Sequence, residues 1–444
     1  MSKKNYDVII IGAGFAGVTA ARELSQKGHK VLVIEAEDRL GGRTWYDERL
    51  GRGLEIGGTW VHWSQPHVWA EITRYNLETT QSPTPEKTFW FADGKLQEGD
   101  GEALLKVLDR GMNKVVEDAR KYFSKPYEPL RELEALKEVD HISIADKLRS
   151  LDLTKEEFDA NYSMWAVNFN GSPETAALTH AYRWVALTNY DWQYNFESCA
   201  TYKLKNGTKE LIEKIANDSK AEFQFSKPVS QVEKVDDEYR VITKSGEEFY
   251  ASAVIVTLPI NILNSIKFTP ELSEQKQAFS KEGQNSTGVK YWARVRGQRK
   301  PFIAMAPADS PADFPINFIQ YEYNIDEDSI YVGFGPDHKY LDPENREEVE
   351  RALRKIIPDV EVIESAGYDW SGGEFSGQTW PMYRTNQLTK YFAELQRPEE
   401  GIFYGGGDGA NGWLGFIDGA IENALRTSKL VDQYITKSSN SLSV

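Results

Sequence analysis

Tyr6-Asp-Val-Ile-Ile-Ile-Gly12-Ala-Gly14-Phe-Ala-Gly17 is the stretch that decides the fold. Val8 to Ile11 is an unbroken run of β-branched residues, the pattern of a strand buried on both faces of a parallel sheet. Glycine ends it. From Phe15 to Lys27 the spacing of Val18, Ala21 and Leu24 gives one apolar helical face. Gly28 closes that helix, and Lys30-Val-Leu-Val-Ile-Glu35 reads as the next strand. The result is a βαβ unit whose turn carries G-x-G-x-x-G, a pattern that suits a dinucleotide. Gly12 makes the tight turn, Gly14 lets backbone approach a pyrophosphate, and Gly17 lets helix pack on sheet, with Ala16 between them. The helix start adds unpaired N–H groups and a partial positive charge for phosphates. Glu35, followed by Ala36, is placed to accept hydrogen bonds from ribose hydroxyls.

NAD and FAD share this motif, so the residues downstream discriminate. Arg39-Leu-Gly-Gly42-Arg43-Thr44 is a second glycine turn, and its permanently charged Arg43 suits another contact to the same pyrophosphate. Gly53-Leu-Glu-Ile-Gly57-Gly58-Thr59-Trp60 is a third, where backbone can lie flat against a ring. Three spaced glycine elements favour the longer, extended dinucleotide, FAD over NAD.

The rest of the composition bounds the class. A chain of 444 residues, 40% of them hydrophobic, is too long for one simple core and suggests two joined domains. With 68 acidic against 52 basic residues the net charge is −16, which argues against nucleic acid or an anionic membrane as a partner. The single Cys199 allows no intrachain disulfide and fits a reducing cytoplasm. Neither end holds a stretch near the ~20 apolar residues of a membrane span, so neither export nor anchoring is expected. The six histidines show no metal-ligand spacing, and no metal is expected.

Further along, Leu104, Leu105, Val107, Leu108, Met112, Val115, Val116 and Ala119 recur at helical spacing, and the pattern stays helical to about Trp192. Ser143-x-x-Asp146 and Thr154-x-x-Glu157 are capping boxes. Tyr239–Lys244, a Ser245-Gly246 turn and Glu248–Tyr250 read as a hairpin, followed by a buried strand over Ala253–Leu258. Strands with prolines occupy about 288–380, and a long helix follows Gly415. The fold class is mixed α/β: a Rossmann-like FAD domain from segments 1–80, 200–285 and 395–440, interleaved with a substrate domain of mixed sheet and helices from 81–199 and 286–394.

The N-terminal elements, Asp7–Gly14, the Glu35 strand, Arg39-Leu-Gly-Gly-Arg43 and Glu55-Ile-Gly-Gly58, together resemble the signature of flavin monoamine oxidases and their bacterial amine and nicotine oxidase relatives. So does the C-terminal Phe403-Tyr-Gly-Gly-Gly-Asp408-Gly-Ala-Asn-Gly-Trp413-Leu-Gly-Phe416-Ile417-Asp418, where a strand and an acidic residue precede a helix whose start faces the flavin. The resemblance implies roles. Lys290 falls where the family places a lysine that holds a water beside the flavin. Trp380 and Phe416 fall at the two walls of an aromatic cage around the substrate nitrogen. Val229 matches a strand whose backbone meets the adenine, and Asp408 and Ile417 belong to the closing flavin motif. Three departures stand out. Thr379 replaces the cysteine that bonds flavin covalently in membrane-bound monoamine oxidases, so FAD is expected to be non-covalent. Phe416 replaces a tyrosine, and Asp408 a glutamate.

The activity implied is oxidation of a C–N bond of a small aryl-alkyl or heterocyclic amine to an imine that hydrolyses to a carbonyl compound, with reoxidation by O2 giving H2O2 or by a protein electron acceptor. Two rivals stay open: another FAD enzyme of the same fold, such as an amino acid oxidase or a desaturase, and a flavin-binding protein without turnover. A homodimer also stays open. Trp60, Trp63, Trp165, Trp184 and Tyr202 are candidates for the pocket lining, and His62 and His67 are either at its entrance or structural.

Overall fold

The computed structural model describes residues 5–441. Its first sheet has eight strands and is centred on Asn5–Ile11, which pairs in parallel with Glu248–Val256 on one side and Val31–Ile34 on the other. Glu222–Gln224 extends the parallel side, and Ile402–Tyr404 pairs with the end of Glu248–Val256. The edge is an antiparallel meander, Val229–Val235 and Glu238–Thr243, closed by Lys267–Thr269. The central strand is apolar on both faces because helices cover both. Val8, Ile9 and Ile10 are fully buried, each contributing about 1.5–3 kcal/mol. On one face lie the Phe15–Gln26 helix and the long Ile417–Ser441 helix, packed on each other.

The hairpin expected around residue 245 is present, but its second arm does not stop at Tyr250. Glu248–Val256 is a single strand that pairs with Glu238–Thr243 at its start and with Asn5–Ile11 from Tyr250 onward. The alternating part and the continuous apolar part of the sequence are its edge-exposed and enclosed halves.

The second sheet has seven strands in the order Val362–Tyr368, Val289–Val295, Asp328–Gly335, Phe318–Ile325, Phe302–Met305, Lys87–Ala92 and Lys95–Asp100. All its pairs are antiparallel except Phe302–Met305 with Lys87–Ala92. Register sets one row across it: Lys290 opposite Phe334, Phe334 opposite Phe318, and Phe318 opposite Met305. Two residues along, Trp292, Val332, Gln320 and Ile303 form the next row. The helical region, from Ala103–Val116 to Trp192–Ala200, packs on the second sheet through Ala103–Val116 and Lys155–Phe169. Both capping boxes form, each with reciprocal bonds between side chain and backbone. Among the described residues, no helix is long and apolar enough to cross a membrane.

Candidate active site

One elongated cavity of about 340 Å³ runs from the first sheet to the second. At one end it is walled by Gly12, Gly14, Ala16, Glu35, Ala36, Gly42 and Arg43, and in the middle by Gly57, Gly58, Thr59 and Ile417. Val229 lines it on the meander side, and Lys290, Trp380 and Phe416 line its far end. Gly17 and Asp408 stand outside the lining.

The glycine cradle follows from close backbone approaches. Gly12 has φ of +104°, a region that favours glycine, and a Cβ there would come within 2.5 Å of Thr257 Oγ1. A Cβ on Gly17 would sit 1.9 Å from the Gly12 carbonyl oxygen, so glycine alone lets the helix start this near the strand end. The Phe15–Gln26 helix has Gly14 as its N-cap, with no side-chain cap and no acidic residue in its first turn. Its first N–H groups and its dipole are therefore available to an anion in the cavity. Glu35 is buried, and its two oxygens accept from the Ala13 N–H (2.6 Å) and the Glu37 N–H (2.9 Å). Burial raises its pKa against those two bonds. This shape, a donor-rich helix start beside a buried carboxyl and a row of side-chain-free backbone, fits the pyrophosphate and ribose of a dinucleotide.

Arg43 makes a contact that its motif does not disclose. Its guanidinium donates to the Thr379 carbonyl (2.8 Å) and to Asp408 Oδ1 (2.5 Å). Asp408 is fully buried, and its Oδ2 accepts from the Ile260 N–H (2.9 Å) and Gln378 Nε2 (2.8 Å). Behind the cavity wall, then, Asp408 ties the second glycine turn to the segment around Thr379. Thr379 Oγ1 itself accepts from Asn170 Nδ2 at 3.0 Å.

Lys290 is buried, with Nζ donating to the carbonyls of Glu55 (2.7 Å) and Gly57 (2.8 Å) and to Thr59 Oγ1 (2.5 Å). Three acceptors match the three donors of an ammonium. Burial pulls its pKa down to about 7, against the attraction of Glu55 and Glu322. Glu55 does two jobs. Its carbonyl accepts from Lys290 and from Trp292 Nε1, while its carboxylate accepts from the N–H and hydroxyl of Thr208 at the start of the Gly207–Asn217 helix. Burial pushes that carboxyl up to about 7, against the two Thr208 bonds.

Trp380 and Phe416 are both fixed from behind. Trp380 donates its indole N–H to the Asn168 carbonyl (3.0 Å) and meets Phe334 edge-on at 5.8 Å. Phe416 is held edge-on by Trp184 at 5.3 Å and Trp413 at 5.0 Å. Trp60 and Trp184 line the cavity, whereas Trp63, Trp165 and Tyr202 do not. Neither histidine lines it. His62 is buried against Ser64, Ser198 and Glu197. His67 and the next residue anchor the Pro66–Arg74 helix to Asp418, whose Oδ1 accepts from both their N–H groups.

The sequence reading missed a buried polar group behind the far wall. Lys203 pairs with Glu322, whose Oε1 accepts from Ser82 (2.8 Å) and from Gln320 Nε2 (2.8 Å), and Gln320 lines the cavity. In Phe318-Ile-Gln-Tyr-Glu-Tyr323 an alternating polar residue reads as a solvent face, and here that face is turned inward. Among the described residues no group of acidic, histidine or cysteine side chains is arranged to hold a metal ion.

The model of the flavin-containing amine oxidoreductase family matches residues 15–432. Pseudooxynicotine dehydrogenase of a Pseudomonas species is 37% identical over 444 residues, covering 99% of this chain and 89% of that protein. Nicotine dehydrogenase of Pseudomonas putida is 34% identical over 436 residues, covering 97% of this chain and 89% of that protein. A solved structure of a putrescine oxidase triple mutant has a TM-score of 0.83 at 21% identity, covering 97% of this chain and 99% of that one, and shares the fold.

Proposed function

The chain belongs to the flavin-containing amine oxidoreductases, and from that membership we propose that it oxidises a carbon–nitrogen single bond of a small aryl-alkyl or heterocyclic amine. The observation that carries this reading is the single cavity that joins the glycine cradle to an aromatic end holding Lys290, Trp380 and Phe416. The segments 1–80, 200–285 and 395–440 form the FAD-binding unit in this proposal, and 81–199 with 286–394 the substrate unit. The N–H groups at the Phe15–Gln26 helix start, with Gly12, Gly14, Ala16, Gly42 and Arg43, hold the pyrophosphate. Glu35 and Ala36 meet the ribose, Val229 the adenine, and Gly57, Gly58, Thr59 and Ile417 the ring system. Gly17 and Asp408 act indirectly, through helix packing and through Arg43. With threonine at 379, FAD is held without a covalent bond.

Bound FAD supplies the two-electron oxidation. Trp380 and Phe416 orient the amine nitrogen between their faces and exclude water from it. Lys290 fixes the Glu55–Thr59 backbone through its bonds to the Glu55 and Gly57 carbonyls, and in this proposal it exchanges its third bond, to Thr59 Oγ1, for one to a water in reach of the reacting atoms. The amine loses two electrons and two protons, and the imine then takes up water to give a carbonyl compound and a smaller amine or ammonia.

Reoxidation by O2 would release H2O2. A second route, to another electron acceptor, is favoured by the names of two relatives above 30% identity, both dehydrogenases. An amino acid oxidase is disfavoured, because Arg43, the one arginine among the described lining residues, belongs to the glycine cradle that takes the pyrophosphate in this proposal, which leaves no arginine for a substrate carboxylate. The test is aerobic turnover of a panel of phenethylamine, tyramine, nicotine and putrescine, measuring carbonyl product and H2O2 together. Carbonyl product with matching H2O2 supports the O2 route, and product that accumulates only with an added redox dye supports the second. No carbonyl product from any amine would refute the proposal.

A further inference from the structure

The row of the second sheet beyond Lys290 and Phe334 places one uncommitted polar atom against the cavity. Gln320 is buried, lines the cavity, and donates from Nε2 to Glu322 Oε1 at 2.8 Å. That bond fixes the amide's orientation. A carboxylate paired with Lys203 accepts only, so the nitrogen must face Glu322 and the oxygen must face away. Among the described residues Gln320 Oε1 has no hydrogen-bond partner, yet it is not among the side-chain atoms sealed from solvent. It faces the cavity. The same Ser82–Glu322 pair also sets the neighbouring wall, since Trp60 donates its indole N–H to Ser82 Oγ (3.3 Å) and packs against Phe334. Phe334 in turn touches Trp380 of the cage. One row, or two residues, along a strand is about 7 Å, roughly the span of an aryl-alkyl side chain beyond its nitrogen.

We infer that Gln320 is a specificity-determining residue whose Oε1 accepts a hydrogen bond from a donor, hydroxyl or N–H, at the end of the substrate remote from the oxidised C–N bond. Glu322, held by Lys203 and Ser82, is its positioning residue. This rests on the amine-oxidation reading and names the substrate class within it: amines bearing a second, distal hydrogen-bond donor over their donor-free counterparts.

The holoenzyme is titrated anaerobically with tyramine and phenethylamine, which differ by one phenolic O–H. Kd is read from the perturbation of flavin absorbance, and the rate of bleaching is followed separately. Wild type is expected to bind tyramine about tenfold more tightly, the size of one neutral hydrogen bond. Gln320→Leu should bind both amines alike, at the phenethylamine value, while Gln320→Glu keeps the preference. Gln320→Met repeats the test if the leucine variant loses its flavin. A wild type without tyramine preference overturns the inference, and so does a leucine or methionine variant that retains it or weakens both amines equally. The two levels separate cleanly. A preference erased by Gln320→Leu without any bleaching keeps the role of Gln320 and sinks amine oxidation. Bleaching by both amines with the preference intact in Gln320→Leu does the reverse.

Discussion

At the first sheet the cavity is made of backbone: Gly12, Gly14, Gly42, Gly57 and Gly58 contribute no side chain, and the donors come from a helix start. At the second sheet it is made of side chains: Lys290, Phe318, Gln320 and Phe334 arrive from three strands that adjoin only through register. In the proposed function a cofactor shared by many enzymes meets the part that side-chain changes barely alter. The part proposed to distinguish substrates is built where each residue can vary singly. The two halves should therefore fail differently.

The largest effect is expected on the side-chain half. Lys290→Met removes three hydrogen bonds and the proton-holding group, and should slow flavin reduction or reoxidation by about 100-fold or more in stopped-flow measurements. Because burial brings both Lys290 and the neighbouring Glu55 carboxyl to about 7, wild-type kcat/KM should show an inflection near pH 7 that belongs to the pair and that shifts or disappears in this variant. Unchanged rates would remove Lys290 from the reaction.

The backbone half should lose cofactor rather than rate. Gly17→Ala drives a Cβ into the Gly12 carbonyl, an overpacking worth about 1–3 kcal/mol. Protein-bound flavin after desalting should fall, while the remaining holoenzyme turns over normally. Asp408→Ala is expected to lower stability by about 3 kcal/mol, the scale for breaking a buried ion pair, and to loosen flavin through Arg43. Thermal melts and retained absorbance check both. A variant with full flavin and a low rate would blur the distinction between the halves.

The smallest effect concerns the frame rather than the cavity. Burial lowers the pKa of His67, but the hydrogen bond and charge of Asp418, helped by Glu422, outweigh it and leave a net rise. A raised folded pKa stabilises fully below the ordinary value of about 6.5 and loses that contribution as pH climbs through the raised value. Wild type should therefore exceed His67→Gln by up to about 1 kcal/mol at pH 5.5, and the gap should narrow by pH 8.5. Melts at the two pH values decide it.

Legibility in the sequence follows the same division. The βαβ unit could be read because its glycines, apolar strand and helix face lie within 35 consecutive residues, and each obeys a local rule. The capping boxes were equally local. Lys290, Trp380 and Phe416 could be singled out only by family resemblance, since nothing within a few residues of Lys290 says that Glu55, Gly57 and Thr59 will surround it. The Arg43–Asp408 pair joins positions 365 apart, and no spacing rule reaches that far. Gln320 and Glu322 were invisible for a different reason: an alternating strand does not say which face meets water until its neighbours in the sheet are known.

The most direct measurement is the absorbance spectrum of the purified protein, recorded before and after anaerobic addition of an aryl-alkylamine. A yellow protein is expected, whose flavin bleaches on addition and leaves the protein on acid precipitation. A protein that cannot be reconstituted with FAD, or whose bound flavin no amine of the panel bleaches, would contradict it.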